Sequence, residues 1–323
     1  MANFNFSIIS AEPLKHFGIC DASAAVLWGE DRFFVGNDED NILRLYDSHQ
    51  SGKAVESVDI NEYFSPQDDE EIDIEGVTTL GDFSYWITSH GRSKKGNFKE
   101  KRHQLFAVQF FDNDAILGVI GQPYQKLVLP DLLENSLLKP FDLKKAETIV
   151  PKEGGLNIEG LTATPEDDLL IGFRSPLVGG KALLVPLRNP LELVTQKEDD
   201  IKAQFGEPIC LDLNGLGIRS IEYWSVIQAY VIIAGEVGGG DRFALYLWSG
   251  NPNENPELID LTFPVDFRPE SVLFYPHLSD RFQVLSDDGT IVRINNQQCK
   301  DVDGSTNTDA KYFRSIWIKI EPS

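Results

Sequence analysis

The chain has 323 residues, 41% of them hydrophobic and 25% charged, with a formal net charge of −22. That charge excludes a nucleic-acid backbone or an anionic membrane surface as the expected partner, and leaves solubility or a bound cation to explain it. No apolar stretch approaches the roughly 18 residues of a membrane helix, and residues 1–10 lack the pattern of a secretory signal.

Cys20, Cys210 and Cys299 are far apart and show no zinc-ligand spacing. They are expected to be reduced, mostly buried thiols in a cytoplasmic protein.

One segment type recurs five times along the chain. A short polar box opens an apolar strand, and about fifteen residues later a second strand ends on a charged or polar residue. The first copy opens at Asp21-Ala22-Ser23 and has strands at 24–28, 32–36 and 42–46. The second opens at Asp73-Ile74-Glu75-Gly76-Val77, with strands at 77–80, 84–88, 104–111 and 126–129. Residues 131–147 then read as a helical insertion. The third opens at Asn157-Ile158-Glu159-Gly160-Leu161, with strands at 161–164, 169–173 and 182–186. The fourth opens at Ile218-Arg219-Ser220, with strands at 221–226, 229–234, 242–248 and 257–261. The fifth opens at Pro269-Glu270-Ser271, with strands at 272–275, 281–285 and 290–294 and a hairpin turn at Asp287-Asp288-Gly289.

Repetition of a four-stranded unit over the whole chain predicts an all-β fold: a single β-propeller domain spanning residues 1–323. Five blades is the expected count. Six is the alternative, because the interval from 105 to 156 is long. Spare strands at 4–10 and 313–320 predict that an end of the chain completes the last blade.

In a propeller, equivalent positions of successive innermost strands converge on one axis. Ser23, Glu75, Glu159, Arg219 and Glu270 are therefore expected at one level of the channel. Asp38, His90, Arg174, Glu236 and Asp287 form a second set at the following loops. Crowded carboxylates repel and must be relieved by a cation, by arginines or by shared protons. Calcium suits such a ring because it takes six to eight oxygen ligands with loose geometry. Glu75, Glu159, Glu270 and Asp38 are the candidate ligands. Arg174 and Arg219 can instead neutralise the ring through charge-assisted pairs, and Glu75 and Glu159 can tie blades together through backbone amides.

His90 is the candidate proton carrier, Glu159 the acid or base, and Arg174 the grip on an anionic group. Arg219, Arg92 and Glu236 are candidate ligand contacts. Arg92 opens a basic segment, 92–103, that either clamps an anion or pairs with the acidic run 68–71. His16, His49, His103 and His277 show no mutual spacing that suggests a metal site.

The Ile74-Glu75-Gly76-Val77 box with Tyr85-Trp86-Ile87-Thr88-Ser89-His90-Gly91-Arg92, and Asn157-Ile158-Glu159-Gly160-Leu161-Thr162 with Gly172-Phe173-Arg174-Ser175-Pro176, resemble an uncharacterised bacterial family of the β-propeller superfamily. The resemblance runs over about residues 15–295. The Glu-Gly-Leu-Thr element also resembles the repeat of esterase-like phytase propellers. That likeness implies a propeller and permits metal-assisted hydrolysis of an ester or phosphoester.

Two functions are expected from these residues. One is a propeller that binds a small or anionic ligand, or a divalent cation, in its channel, with hydrolase chemistry possible there. The other is a non-enzymatic scaffold that docks a protein partner on its basic loop.

Overall fold

Each recurring segment folds as an antiparallel sheet in which the first strand is innermost. The computed structural model describes residues 4–64, 70–110 and 117–322; residues 68 and 69 of the acidic run, and 111 of the third strand of the second copy, lie outside them. Blade 1 consists of Ala24–Trp28, Arg32–Gly36, Ile42–Asp47 and Glu56–Asp59. Blade 2 runs Ile74–Leu80, Phe83–Thr88, Leu105–Phe110 and Leu117–Tyr124. Blade 3 runs Asn157–Ala163, Leu169–Ser175, Ala182–Leu187 and Ile209–Leu211. Blade 4 runs Gly217–Trp224, Ala229–Gly235, Phe243–Trp248 and Glu257–Leu258.

Blade 5 is built from both ends of the chain. Pro269–Leu273 and Arg281–Ser286 are followed by Tyr312–Pro322, which pairs with Leu14–Phe17 and, farther along, with Phe4–Ile8. Strand exchange of this kind closes the ring without leaving a seam of unpaired backbone. Five blades, not six, result.

Two strand assignments change. The fourth strand of blade 2 is Leu117–Tyr124, and Leu127–Leu132 is a kinked turn around Pro130. Residues 139–146 add two further short helical turns in place of one continuous helix. In blade 5, Val292–Ile294 pairs with Gln297–Gln298 as a separate hairpin, and Tyr312–Pro322 takes the third place in the blade.

Five apolar clusters fill the five seams between neighbouring blades. Trp86 and Phe106 of blade 2, for example, pack with Val26, Phe34 and Leu45 of blade 1. Burial of such side chains, at about 1.5–3 kcal/mol each, is what holds blade to blade. Covalent closure is added by a disulfide between Cys20 and Cys299, which are 279 residues apart in sequence and fully buried. The expectation of three reduced thiols is thereby corrected; Cys210 alone is free. Ring closure juxtaposes the two ends of the chain, which spacing along the sequence cannot reveal.

Candidate functional site

The innermost strands carry a repeated irregularity. In blade 2, Ile74 pairs with Thr88 and Gly76 with Ile87, so Glu75 has no opposite number. The same skip leaves out Glu159 between Ile158 and Gly160, Arg219 between Ile218 and Ser220, and Glu270 between Pro269 and Ser271. Each is a β-bulge, in which the extra residue is turned away from the ladder and its side chain re-aimed. One consequence is that Ile158 and Leu161, three apart, both enter the same apolar cluster, as do Ile74 with Val77 and Ile218 with Ile221. A regular strand would put residues three apart on opposite faces. The bulges free four charged side chains to point at the axis.

Glycine follows the glutamate in two of these boxes because the inner strands come close together there. A Cβ on Gly160 would lie 2.8 Å from Ile218 Cγ2 and 3.1 Å from Gly172 Cα.

The bulged residues line a cavity of ≈ 710 Å³ at the end of the axis where the innermost strands begin. Its walls also include Asp21, Asp38, Asp73, Arg102, Arg174 and Asp287. Below this level the axis narrows to a throat of ≈ 10 Å³, room for about one water. Glu222 sits in the throat, where Thr78 Oγ1 donates to it at 3.3 Å and burial lifts its pKa to about 8.

Two arginines organise the floor. Arg219 Nη1 lies 3.0 Å from both Glu159 Oε2 and Glu270 Oε1, while Arg174 Nη1 reaches Glu159 Oε1 at 2.6 Å. Asn157 Nδ2 also donates to Glu159 Oε1, at 2.7 Å. On the neighbouring wall Arg102 bonds Asp73 at 2.8 Å and Glu71 at 2.7 Å, and Ser89 donates to Asp73 as well. Burial and the Glu159, Asp73, Asp38 and Glu270 charges push the Glu75 carboxyl well above the ordinary range. Burial, then Asp73 and Asp287, lift Asp38 to about 7. Asp21 rises too, first through burial and then through Asp287, with which it shares a hydrogen bond. Gly289 sits close beside that pair, since a Cβ there would fall 1.8 Å from Asp21 Oδ1 and displace the carboxylate.

Among the described residues, five polar side-chain atoms in this wall are buried without a hydrogen-bond partner: Asp38 Oδ1, Thr290 Oγ1 and the Nε of Arg102, Arg174 and Arg219. Nearer the mouth stand Arg92, Lys94, Lys152, Arg268 and Lys300. Lys152 is held below its usual pKa by burial and by Lys94, Arg174, Lys300 and Arg219, which marks a convergence of positive charge. Apolar lining is confined to Val150, Pro151 and Phe243, together with glycine backbone.

Of the residues expected at the site, Glu75, Glu159, Glu270, Asp38, Arg174, Arg219 and Arg92 all line the cavity. His90 and Glu236 do not. His90 adopts a positive φ of 52°, which turns its ring beneath the loop. There Nδ1 meets Thr88 O at 2.8 Å, the ring packs edge-on against His103, and burial lowers its pKa to about 4. Glu236 folds back over its own glycine loop, with a carboxylate oxygen 1.8 Å from where a Gly240 Cβ would stand. Asp21, Asp73 and Lys152 were missed by sequence, whereas Arg102 belongs to the basic segment 92–103 and pairs with Glu71 of the acidic run. Asp21 and Asp73 each head a box and could have been read from it; Lys152 arrives on a loop without periodicity.

The basic segment is largely committed to internal pairs. Lys99 bonds Glu70, Arg102 bonds Glu71, and Arg92 bonds Glu147 at 2.8 Å.

Fold and site together define a five-bladed β-propeller with a charged axial cavity. The chain belongs to the DUF3616 family of proteins of unknown function, whose pattern matches residues 21–122 and 120–259. No curated protein matches the sequence. Among solved structures, it is similar to a PQQ-bound aldose sugar dehydrogenase from Streptomyces coelicolor, at 11% identity and TM-score 0.45, over 99% of each chain. It is also similar to virginiamycin B lyase from Staphylococcus aureus, at 10% identity and TM-score 0.38, over 98% of this chain and 99% of that one.

Proposed function

We propose that the protein binds a small, polar, hydroxyl-bearing molecule with an anionic group in the axial cavity. Glu75 and Asp38 are the acid–base pair of that reading, acting on an ester or phosphoester. The observation that carries it is the convergence of Arg92, Lys94, Lys152, Arg174 and Arg219 on one polar cavity. Guanidinium and ammonium groups lining one cavity suit phosphate or carboxylate oxygens. The scarcity of apolar lining disfavours a hydrophobic ligand.

Calcium at Glu75, Glu159 and Glu270 is the sharper form of the reading, and the distances allow it. Their ligand atoms lie within 4.8 Å of one another, the span of two oxygens about 2.4 Å from one ion. The charges do not fit. Arg219 already bonds Glu159 and Glu270, and Glu75 tends to hold its proton. A cation would enter against a guanidinium, so no chemical step is derived through a metal. The scaffold reading rests on Lys94 and Lys95, which remain exposed in the basic loop. Lys94 also faces the cavity, which favours the ligand reading. The buried Cys20–Cys299 bond supports an oxidising compartment over the cytoplasm.

Thermal unfolding against a panel of sugar phosphates, sugar acids, neutral sugars and simple phosphate tests the proposal. Stabilisation is expected from the anionic hydroxylated compounds, reduced by Lys152→Ala and by Asp38→Asn. No response to any of them refutes it. Compounds that stabilise are then assayed for hydrolysis, with Glu75→Gln as the variant that should abolish turnover.

A further inference from the structure

A second cluster of ligating side chains lies at the other end of blade 1. Asp31, His49 and His277 offer one ligand atom each, all within 4.8 Å of one another. Strand Arg32–Gly36 leads from Asp31 on this face to Asp38 in the axial cavity. Seven residues of extended chain separate the two by roughly 23 Å, so the sites are independent.

We propose that Asp31, His49 and His277 bind a divalent transition-metal ion of the zinc, nickel or copper class. Two imidazoles and one carboxylate form a borderline donor set that suits these ions, whereas calcium and magnesium require oxygen ligands. The ligand atoms must close by about 1 Å to meet one ion with bonds near 2.1 Å. Asp31 and His49 keep 61% and 48% of their side-chain surface exposed and His277 is exposed as well, so rotation about side-chain bonds supplies that movement. His49 Nε2 already lies 3.0 Å from Asp31 Oδ1, close to the spacing of two ligands on a tetrahedral ion. The remaining positions face water and are open to solvent or an exogenous ligand.

The histidines are held from behind. The His49 ring lies flat on Trp317, with centroids 5.3 Å apart and planes 2° from parallel. Trp317 packs on Tyr275, and Tyr275 meets the His277 ring edge-on at 6.1 Å. Tyr275 OH donates to Gln283 Oε1 at 2.5 Å, and Gln283 Nε2 donates to Ser48 O at 3.1 Å, next to His49. His49 N is fixed in turn by Asp47 Oδ1 at 2.8 Å. Such outer contacts restrict ring orientation before an ion arrives. Asp31 and His49 belong to blade 1 and His277 to blade 5, so the ion would clip the seam where the ring closes.

The test is calorimetric titration of the tag-free, EDTA-treated protein with zinc, followed by anomalous diffraction from a zinc-soaked crystal. One ion per chain is expected, with affinity falling about tenfold or more in His49→Ala and in His277→Ala. Both residues are largely exposed, so the variants should still fold and lose only the small share of stability carried by the ring contacts, leaving metal affinity measurable. An anomalous peak among the three side chains would support the site independently of any variant. Absence of binding, affinity unchanged in either variant, or a peak elsewhere overturns the proposal.

Discussion

Replacing Arg219 by methionine isolates the electrostatics of the cavity floor. The guanidinium is almost wholly buried and bonds two carboxylates at 3.0 Å each, with Glu75 close enough to feel its charge. Methionine keeps much of the volume but leaves Glu159 bonded to Arg174 alone among the arginines and Glu270 with only the more distant charge of Arg174. Removing one member of a buried ion pair costs about 3–5 kcal/mol. At roughly 2.1 cal/mol/K per residue, a chain of this length shifts its midpoint by about 1.5 °C per kcal/mol. Arg219→Met should therefore melt about 4–7 °C lower at pH 7. Burial lifts Glu270 to about 8 even beside Arg219, so the loss should grow as the pH rises through 8 and this carboxylate ionises. The variant also vacates the point between Glu159 and Glu270, so calcium should now stabilise it. An ion at a hundred times its dissociation constant adds about 2.7 kcal/mol. Wild type, measured in EDTA and again in millimolar calcium, should show no such rise. Denaturant and thermal scans on both proteins, with and without calcium, decide the matter. A loss below about 1 kcal/mol, or a wild type stabilised by calcium as strongly as the variant, would refute the reasoning.

Further expectations concern the throat, the disulfide and the close approaches of backbone. Glu222 holds its proton up to about pH 8 in the folded chain against an ordinary value of 4.5, so folding takes up a proton between those values. Stability from this group is fully present below about pH 4.5 and is lost as pH rises through 8. Glu222→Gln should gain on wild type across that window by roughly 2–4 kcal/mol and be neutral at pH 4, as urea midpoints at several pH values would reveal. A constant difference between the two proteins would rule out titration of Glu222. The Cys20–Cys299 bond closes a 279-residue span, for which the chain-entropy estimate is about 5.6 kcal/mol. The double Cys→Ser variant should unfold at markedly lower urea, and thiol titration of denatured wild type should find Cys210 only. Three titratable thiols would contradict the bond. Gly289→Ala drives a methyl group into Asp21, so it should lower stability by about 1–3 kcal/mol and weaken ligand response; wild-type behaviour on both counts would show that the loop yields freely.

The recurrence of polar box, strand, turn and strand was legible because a propeller repeats one unit, and each unit must bury both faces against like neighbours. From it came the fold class, the five units and the convergence of Glu75, Glu159, Arg219 and Glu270. Even the bulges left a trace, since Ile158 and Leu161, or Ile218 and Ile221, are apolar at a spacing of three. What periodicity could not supply was anything set by a single backbone angle or by ring closure. His90 has the right phase but a left-handed φ that buries it. Glu236 lies on a loop of its own length and folds away. Which carboxylate meets which arginine depends on distances across the axis between residues about 50 to 60 positions apart. The disulfide and the Asp31–His49–His277 cluster exist only because blade 5 is assembled from both ends of the chain, bringing residues more than 200 positions apart to one seam. Local pattern determines the unit; the closure of the ring decides which units, and which side chains, become neighbours.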